Sequence, residues 1–190
     1  VFDKGRGWAE PRILRTLLSV TDVKIVATVR PVADCLASLA KITKAEDMEV
    51  FCRGEMAEWF FNAYDAMKGG YKEFPDKFLF IEYDDLVFNT QTQLDRISDF
   101  VGIDKFTHDL MNVPDSGEED KIWRIPNLHK VRKKVSKHKY SACEVLGNKL
   151  FQKFQGGEFW NDKPEPIQIK QPIHFQHDAL MKGDFKKSKQ

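Results

Sequence analysis

The chain has 190 residues, 42% of them hydrophobic, with 30 Lys and Arg against 29 Asp and Glu and a net charge of +1. That length supports one sizeable core and a single domain. The near-neutral charge argues against a general nucleic-acid or membrane-surface binder, which carries a marked basic excess, and no apolar run approaches the ~18 residues of a membrane span.

Val1 to Asp3 is expected to close a strand, and Pro11 to open a helix with the apolar stripe Ile13, Leu14, Leu17 and Leu18. Val23 to Val29 is a short β-branched, apolar run, the pattern of a strand buried on both faces of a parallel sheet. Pro31 suits the first position of a helix, where its missing N–H costs nothing, and that helix is expected to reach about Thr43. One amphipathic helix is then expected through Met48, Phe51, Cys52, Met56, Trp59, Phe60, Ala63, Tyr64 and Met67, stopped by Gly69-Gly70. Its aromatic stripe reads as core.

After Pro75, Phe78 to Glu82 reads as a strand leading into a turn. Thr90-Gln91-Thr92-Gln93 has the capping-box pattern, opening a helix through Leu94, Ile97, Phe100 and Val101 that stops at Gly102. Residues 104–140 lack clear periodicity and hold an acidic patch at 115–120. Ser141-Ala142-Cys143-Glu144 is a second capping box, with Leu146, Leu150, Phe151 and Phe154 on the face that follows. From Gly156 the chain is rich in Pro, Gln and Lys. The expected organisation is one domain over 1–155 and a carboxy-terminal extension over 156–190 that wraps the surface or is partly disordered.

Cys35, Cys52 and Cys143 are odd in number and fall in apolar helical patterns. They read as buried thiols of a reducing, cytoplasmic compartment, not as a disulfide framework or a zinc site.

The βαβα alternation predicts an α/β fold, a parallel sheet flanked by helices. Only two or three strands are legible where sheets usually hold ~4–6, so part of the sheet is expected to be missing. Arg30 falls at the carboxyl end of its strand, the edge of an open α/β sheet where ligands bind. A full positive charge there asks for an anion. Ser38 follows two turns into the helix, roughly 10 Å along the axis. A long Arg reaching along the helix flank could share a phosphate with that hydroxyl. Equally, Arg30 could pair with Asp34 and leave Ser38 an ordinary polar residue.

Strand, Arg30, the Pro31-to-Asp34 helix start and Ser38 resemble the 3′-phosphate-binding element of the sulfotransferases that use 3′-phosphoadenosine 5′-phosphosulfate (PAPS). Two further segments are similar to that family. Val1-Phe2-Asp3-Lys4-Gly5-Arg6-Gly7-Trp8 resembles the strand-plus-Lys segment that carries the catalytic base, and Phe78-Leu79-Phe80-Ile81-Glu82-Tyr83-Asp84-Asp85-Leu86 resembles the strand ending in Tyr-Glu-Asp-Leu. The resemblance runs over roughly residues 1–140. It implies a nucleotide-kinase-like sulfotransferase architecture, incomplete at the amino terminus. The family's 5′-phosphosulfate loop has no match here, since Gly5-Arg6-Gly7 and Gly69-Gly70 lack the strand–loop–helix context.

The resemblance further implies PAPS as sulfuryl donor, no metal, and a hydroxyl or amine of a carbohydrate or small metabolite as acceptor. Arg30 and Ser38 would bind the 3′-phosphate, and Tyr83 would pack on the adenine or hydrogen-bond within the site. Asp3 is the candidate base, preceding Lys4 as a Glu precedes Lys in the glycan N-sulfotransferases. The cytosolic branch instead places a His two residues after the Lys, where this chain has Arg6. Lys4 would supply positive charge, and Arg6 would face an anionic acceptor; a surface ion pair between Asp3 and Lys4 or Arg6 is the alternative. Asp84 and Asp85 read as helix-start groups.

Of the basic cluster at 129–139, Lys130 and Arg132 are the candidates for a loop that closes over the 3′-phosphate, against a solvated basic loop offsetting the acidic patch. Three functions stay in play. A PAPS-dependent sulfotransferase leads. A non-catalytic 3′-phosphoadenosine-nucleotide-binding module is second. A P-loop kinase relative is weakened by the missing G-x-x-x-x-G-K-[ST]. Oligomeric state is left open.

Overall fold

The structure is a computed structural model and describes residues 2–5, 7–114, 131, 133–136 and 140–162. Residues 2–5 form no strand. No described strand lies beside them to take up their backbone groups, and Phe2 is exposed. Helix α1, Pro11–Leu18, starts where Glu10 accepts the N–H groups of Arg12 and Ile13. It buries Leu14 completely but leaves Ile13 exposed.

Strands β1, Ile25–Val29, and β2, Phe78–Glu82, pair in parallel with Ile25 opposite Phe78 and Val29 opposite Glu82. The expectation of a strand buried on both faces needs correction. Only Val29 of β1 is fully buried, and Thr28 is exposed. Among the described residues β2 is the one strand paired with it. On the covered face, Ile25 and Phe78 pack with Ala9 and Leu14, while Val29 and Phe80 pack with Met67, Tyr71, Phe159 and Trp160. Ile81, pointing the other way, is wholly buried.

The crossover between the strands is helical, as parallel pairing demands. Helix α2, Val32–Thr43, has Pro31 as its N-cap, one position earlier than expected, and ends at Lys44 in the left-handed conformation. Its small residues Ala33, Ala37 and Ala40 join Leu36 in a core completed by Phe51, Ala57, Ala142, Leu146 and Leu150. The long helix expected from Met48 is two helices: α3, Met48–Phe51, and α4, Glu55–Glu73. Asp47 caps the first through the N–H groups of Glu49 and Val50, and Gly54 in extended conformation opens the second.

Gly69-Gly70 does not stop α4, which runs through the pair to Glu73. These glycines serve close approach instead. A Cβ on Gly70 would lie 2.1 Å from the Ala9 carbonyl oxygen and 3.0 Å from Phe78 Cζ; one on Gly69 would lie 3.0 Å from Pro11 Cγ.

The turn expected after β2 is a helix, α5, Tyr83–Phe88, followed by α6, Thr90–Val101. The Thr90 capping box does not form. The Thr90 hydroxyl donates to the Leu86 carbonyl at 2.6 Å, because α5 arrives just before it. Gly102 closes α6 at φ +81°, as expected. The Ser141–Glu144 capping box does form, at the start of α7, Ala142–Leu146. Gly147 then breaks the face into a second helix, α8, Asn148–Phe154.

The three cysteines are free and half-buried, not buried, and the Cys52 thiol titrates above its ordinary value because burial disfavours the thiolate. No described helix is long and apolar enough to cross a membrane.

Gly70→Ala is expected to destabilise the chain by ~1–3 kcal/mol through overpacking, although Ala exceeds Gly in helix propensity by ~0.8–1.0 kcal/mol. Gly69→Ala should lose less. Urea midpoints for both variants check this, and a Gly70→Ala midpoint at or above the parent's refutes it.

Candidate functional site

Parallel pairing brings both strands out at the same edge, so the residues after Val29 and Glu82 become neighbours. These are Arg30 and Tyr83. The Arg30 guanidinium carbon lies 4.7 Å from the Tyr83 ring centroid, a cation–π arrangement. The Arg30 side chain is only 16% exposed, and its Nη2 stands 3.9 Å from Asp34 Oδ1. At that separation the carboxylate attracts the guanidinium without accepting a hydrogen bond. Among the described residues the guanidinium makes no side-chain hydrogen bond, so its planar fork of N–H donors keeps its capacity for an oxyanion.

Asp34, in the first turn of α2, complements the helix dipole as well as Arg30. The Cys35 thiol donates to the Arg30 carbonyl at 3.6 Å, tying the strand end to the helix start. Ser38 lies further along α2 and is half-buried. Its hydroxyl has no hydrogen-bond partner among the described residues. Arg30 and Tyr83 therefore fit a phosphate group, a guanidinium with N–H groups uncommitted among the described residues and an aromatic face beneath it, while Ser38 lies on the adjoining helix.

Asp3 and Lys4 are exposed, and an Asp3 carboxylate oxygen accepts the Lys4 backbone N–H at 2.8 Å. Arg6, Lys130 and Arg132 lie outside the described residues. The sequence reading leaves out the neighbours that frame the strand ends. The Glu82 carboxylate accepts the Trp160 indole N–H at 3.1 Å, and Val32 packs at the start of α2. The one sequence signal for Trp160 is the Phe159-Trp160 pair, an aromatic dipeptide in a polar stretch.

The chain belongs to the sulfotransferase family: the family's sequence pattern, described as "Sulfotransferase family", matches residues 12–108, just over half of its length. That range contains Arg30, Ser38 and Tyr83 and excludes Asp3, Lys4, Arg6, Lys130 and Arg132. The chain is also 29% identical over 184 residues to a protein named "Cytosolic sulfotransferase 10" from Arabidopsis thaliana. The match covers 85% of this chain and 54% of the relative, so the chain spans about half that relative's length. No solved structure matches the chain significantly.

Because the Ser38 hydroxyl is committed to no described partner, Ser38→Ala is expected to leave folding stability within ~0.5 kcal/mol of the parent. Thermal unfolding followed by circular dichroism checks this. A drop of several degrees would assign the hydroxyl a structural role.

Proposed function

We propose that this chain forms the 3′-phosphonucleotide half of a PAPS-dependent sulfotransferase acting on a hydroxyl or amine of a carbohydrate or small-metabolite acceptor. The observation that carries the reading is Arg30, largely buried at the carboxyl end of β1, lying on the Tyr83 ring with its hydrogen-bond donors uncommitted among the described residues, inside the residues that match the family. Arg30 binds the 3′-phosphate through charge-assisted, bidentate hydrogen bonds. Ser38 adds a neutral hydroxyl, and Tyr83 supplies the face beside the nucleotide. Lys130 and Arg132 belong to the same proposal as closing cations, and Arg6 as a contact for an anionic acceptor. A cytoplasmic location is proposed with it, in line with the name of the Arabidopsis relative.

In sulfuryl transfer the bond from the acceptor oxygen or nitrogen to sulfur forms as the bond from sulfur to the donor's bridging oxygen breaks, in line. Asp3 takes the acceptor's proton, and Lys4 offsets the charge developing on the bridging oxygen. 3′-Phosphoadenosine 5′-phosphate leaves with the bridging oxygen. Its 3′-phosphate, held by Arg30, is remote from the reacting bond, so Arg30 contributes binding and orientation and moves no proton.

Two outcomes test the reading. 3′-Phosphoadenosine 5′-phosphate should raise the melting temperature of the chain, corresponding to ~2.7 kcal/mol at a hundredfold excess over Kd, and AMP, lacking the 3′-phosphate, much less. Arg30→Ala should abolish that difference and Ser38→Ala only reduce it; equal shifts with both nucleotides would sink the assignment. In a protein that carries the 5′-phosphosulfate loop, Asp3→Asn should lower turnover by ~10²–10⁴-fold with nucleotide affinity unchanged. Labelled PAPS measures the first and titration the second. Activity within a few-fold of the parent would make Asp3 an ion-pair residue, while nucleotide binding with no turnover in the parent would favour the non-catalytic module.

A further inference from the structure

Segment 156–162 touches the ends of both strands, Val29 and Glu82, that lead into Arg30 and Tyr83. Gly156 and Gly157 have φ of +85° and +86°, backbone that side-chain-bearing residues rarely adopt. The Tyr64 hydroxyl donates to the Gly157 carbonyl, and a Cβ on Gly157 would lie 3.1 Å from that hydroxyl oxygen and 4.0 Å from Val32 Cγ2. Further on, the Trp160 indole N–H reaches Glu82 and the Tyr71 hydroxyl donates to the Asp162 carbonyl at 3.3 Å. Val32 opens α2 just after Arg30 and Pro31; Glu82 directly precedes Tyr83.

The rings of Phe159 and Trp160 fix this segment on the sheet, 5.7 and 6.5 Å from the Phe80 ring. Covering the sheet needs the rings alone. The indole N–H goes further, to a residue that is itself exposed and sits at the lip of the site.

We propose that segment 156–162 is a positioning strap: the Trp160–Glu82 hydrogen bond and the packing of Phe159 and Trp160 on Val29 set the separation of the two strand ends and so hold Arg30 on the face of Tyr83. The consequence for nucleotide selectivity rests on the function proposed above; the geometry does not. Trp160 and Glu82 touch no reacting atom, and they act through Tyr83 and Arg30. The indole bond matters for direction, since it ties the lip of β2 to the strap at the level of Tyr83.

Three variants of the full chain test the strap. Trp160→Phe keeps a ring and removes the N–H, Glu82→Gln keeps an acceptor oxygen and removes the charge, and Glu82→Met removes both. The first readout needs no ligand: the NMR resonance of the Arg30 Nε–H, which the Tyr83 ring 4.7 Å from the guanidinium carbon is expected to displace upfield. That displacement should be lost in Trp160→Phe and Glu82→Met and kept in Glu82→Gln. In titrations, Trp160→Phe and Glu82→Met should bind 3′-phosphoadenosine 5′-phosphate ~5–10-fold more weakly, the loss of about one hydrogen bond, with AMP unchanged. Glu82→Gln should match the parent.

An Arg30 resonance unmoved in Glu82→Met overturns the strap. So does tighter nucleotide binding by both Glu82 variants, which would mean that Glu82 acts by its charge. Glu82 is exposed, so Glu82→Met decides the matter even where Trp160→Phe fails to fold. A parent that binds both nucleotides equally, while the Arg30 displacement is still lost in Trp160→Phe, supports the strap and removes the nucleotide reading alone.

Discussion

Everything at the site follows from the direction of one strand pair. With β1 and β2 parallel, Val29 stands beside Glu82, and the next residue of each chain segment leaves the sheet at the same edge. An antiparallel pair would have set the end of β1 beside Phe78 and left Arg30 without Tyr83. The parallel arrangement also raises the charge problem that defines the site, because a guanidinium only 16% exposed gives up much of its hydration. The Tyr83 face returns ~0.5–2 kcal/mol of that loss and Asp34 adds attraction at a distance. Neither takes up the N–H donors, so the remaining deficit is one that an oxyanion removes.

Small residues set how closely the layers around that pair can stack. Gly70 lets α4 lie against the Ala9 backbone and the Phe78 ring, which brings Met67 and Tyr71 down onto the strands. Ala33, Ala37 and Ala40 do the same for α2 against the later helices α7 and α8. Gly157 allows the carboxy-terminal segment to pass over Tyr64, whose phenol titrates above its ordinary value chiefly through burial, with Asp65, Glu158 and Asp162 adding to the effect. Each is a case of backbone approaching where a side chain would not fit, and together they keep Val29, Phe80 and Trp160 in one packed layer.

How much of this was legible in the sequence depends on how local its cause is. The strand before Arg30, the helix after it and β2 were readable, because a β-branched run, a Pro and the apolar run Phe78 to Ile81 carry their own geometry. The Ser141 cap was readable for the same reason. Gly69-Gly70 has the pattern of a stop, yet its role is set by Ala9 and Pro11, which lie far off in sequence, and by Phe78 of β2. Thr90 has the cap pattern, yet its hydroxyl goes to Leu86 of a helix that periodicity did not show. The positive end of the site was visible in Arg30, but the ring beneath it became a neighbour only through strand register. Trp160 was hidden most completely, sitting in a polar stretch while its burial comes from the sheet.

The β1–β2 pairing also bears on how the molecule comes to exist. Its partners are about fifty positions apart, with α2, α3 and α4 between them, so closing that loop costs chain entropy before any ladder hydrogen bond repays it. Contacts of this kind slow folding, whereas the intervening helices form from near neighbours. The crossover helices therefore have the means to form early and the edge carrying Arg30 and Tyr83 to assemble late. A newly made chain would pass through a stage that is helical yet lacks the Arg30–Tyr83 edge, with the apolar residues of β1 and β2 open to wrong partners.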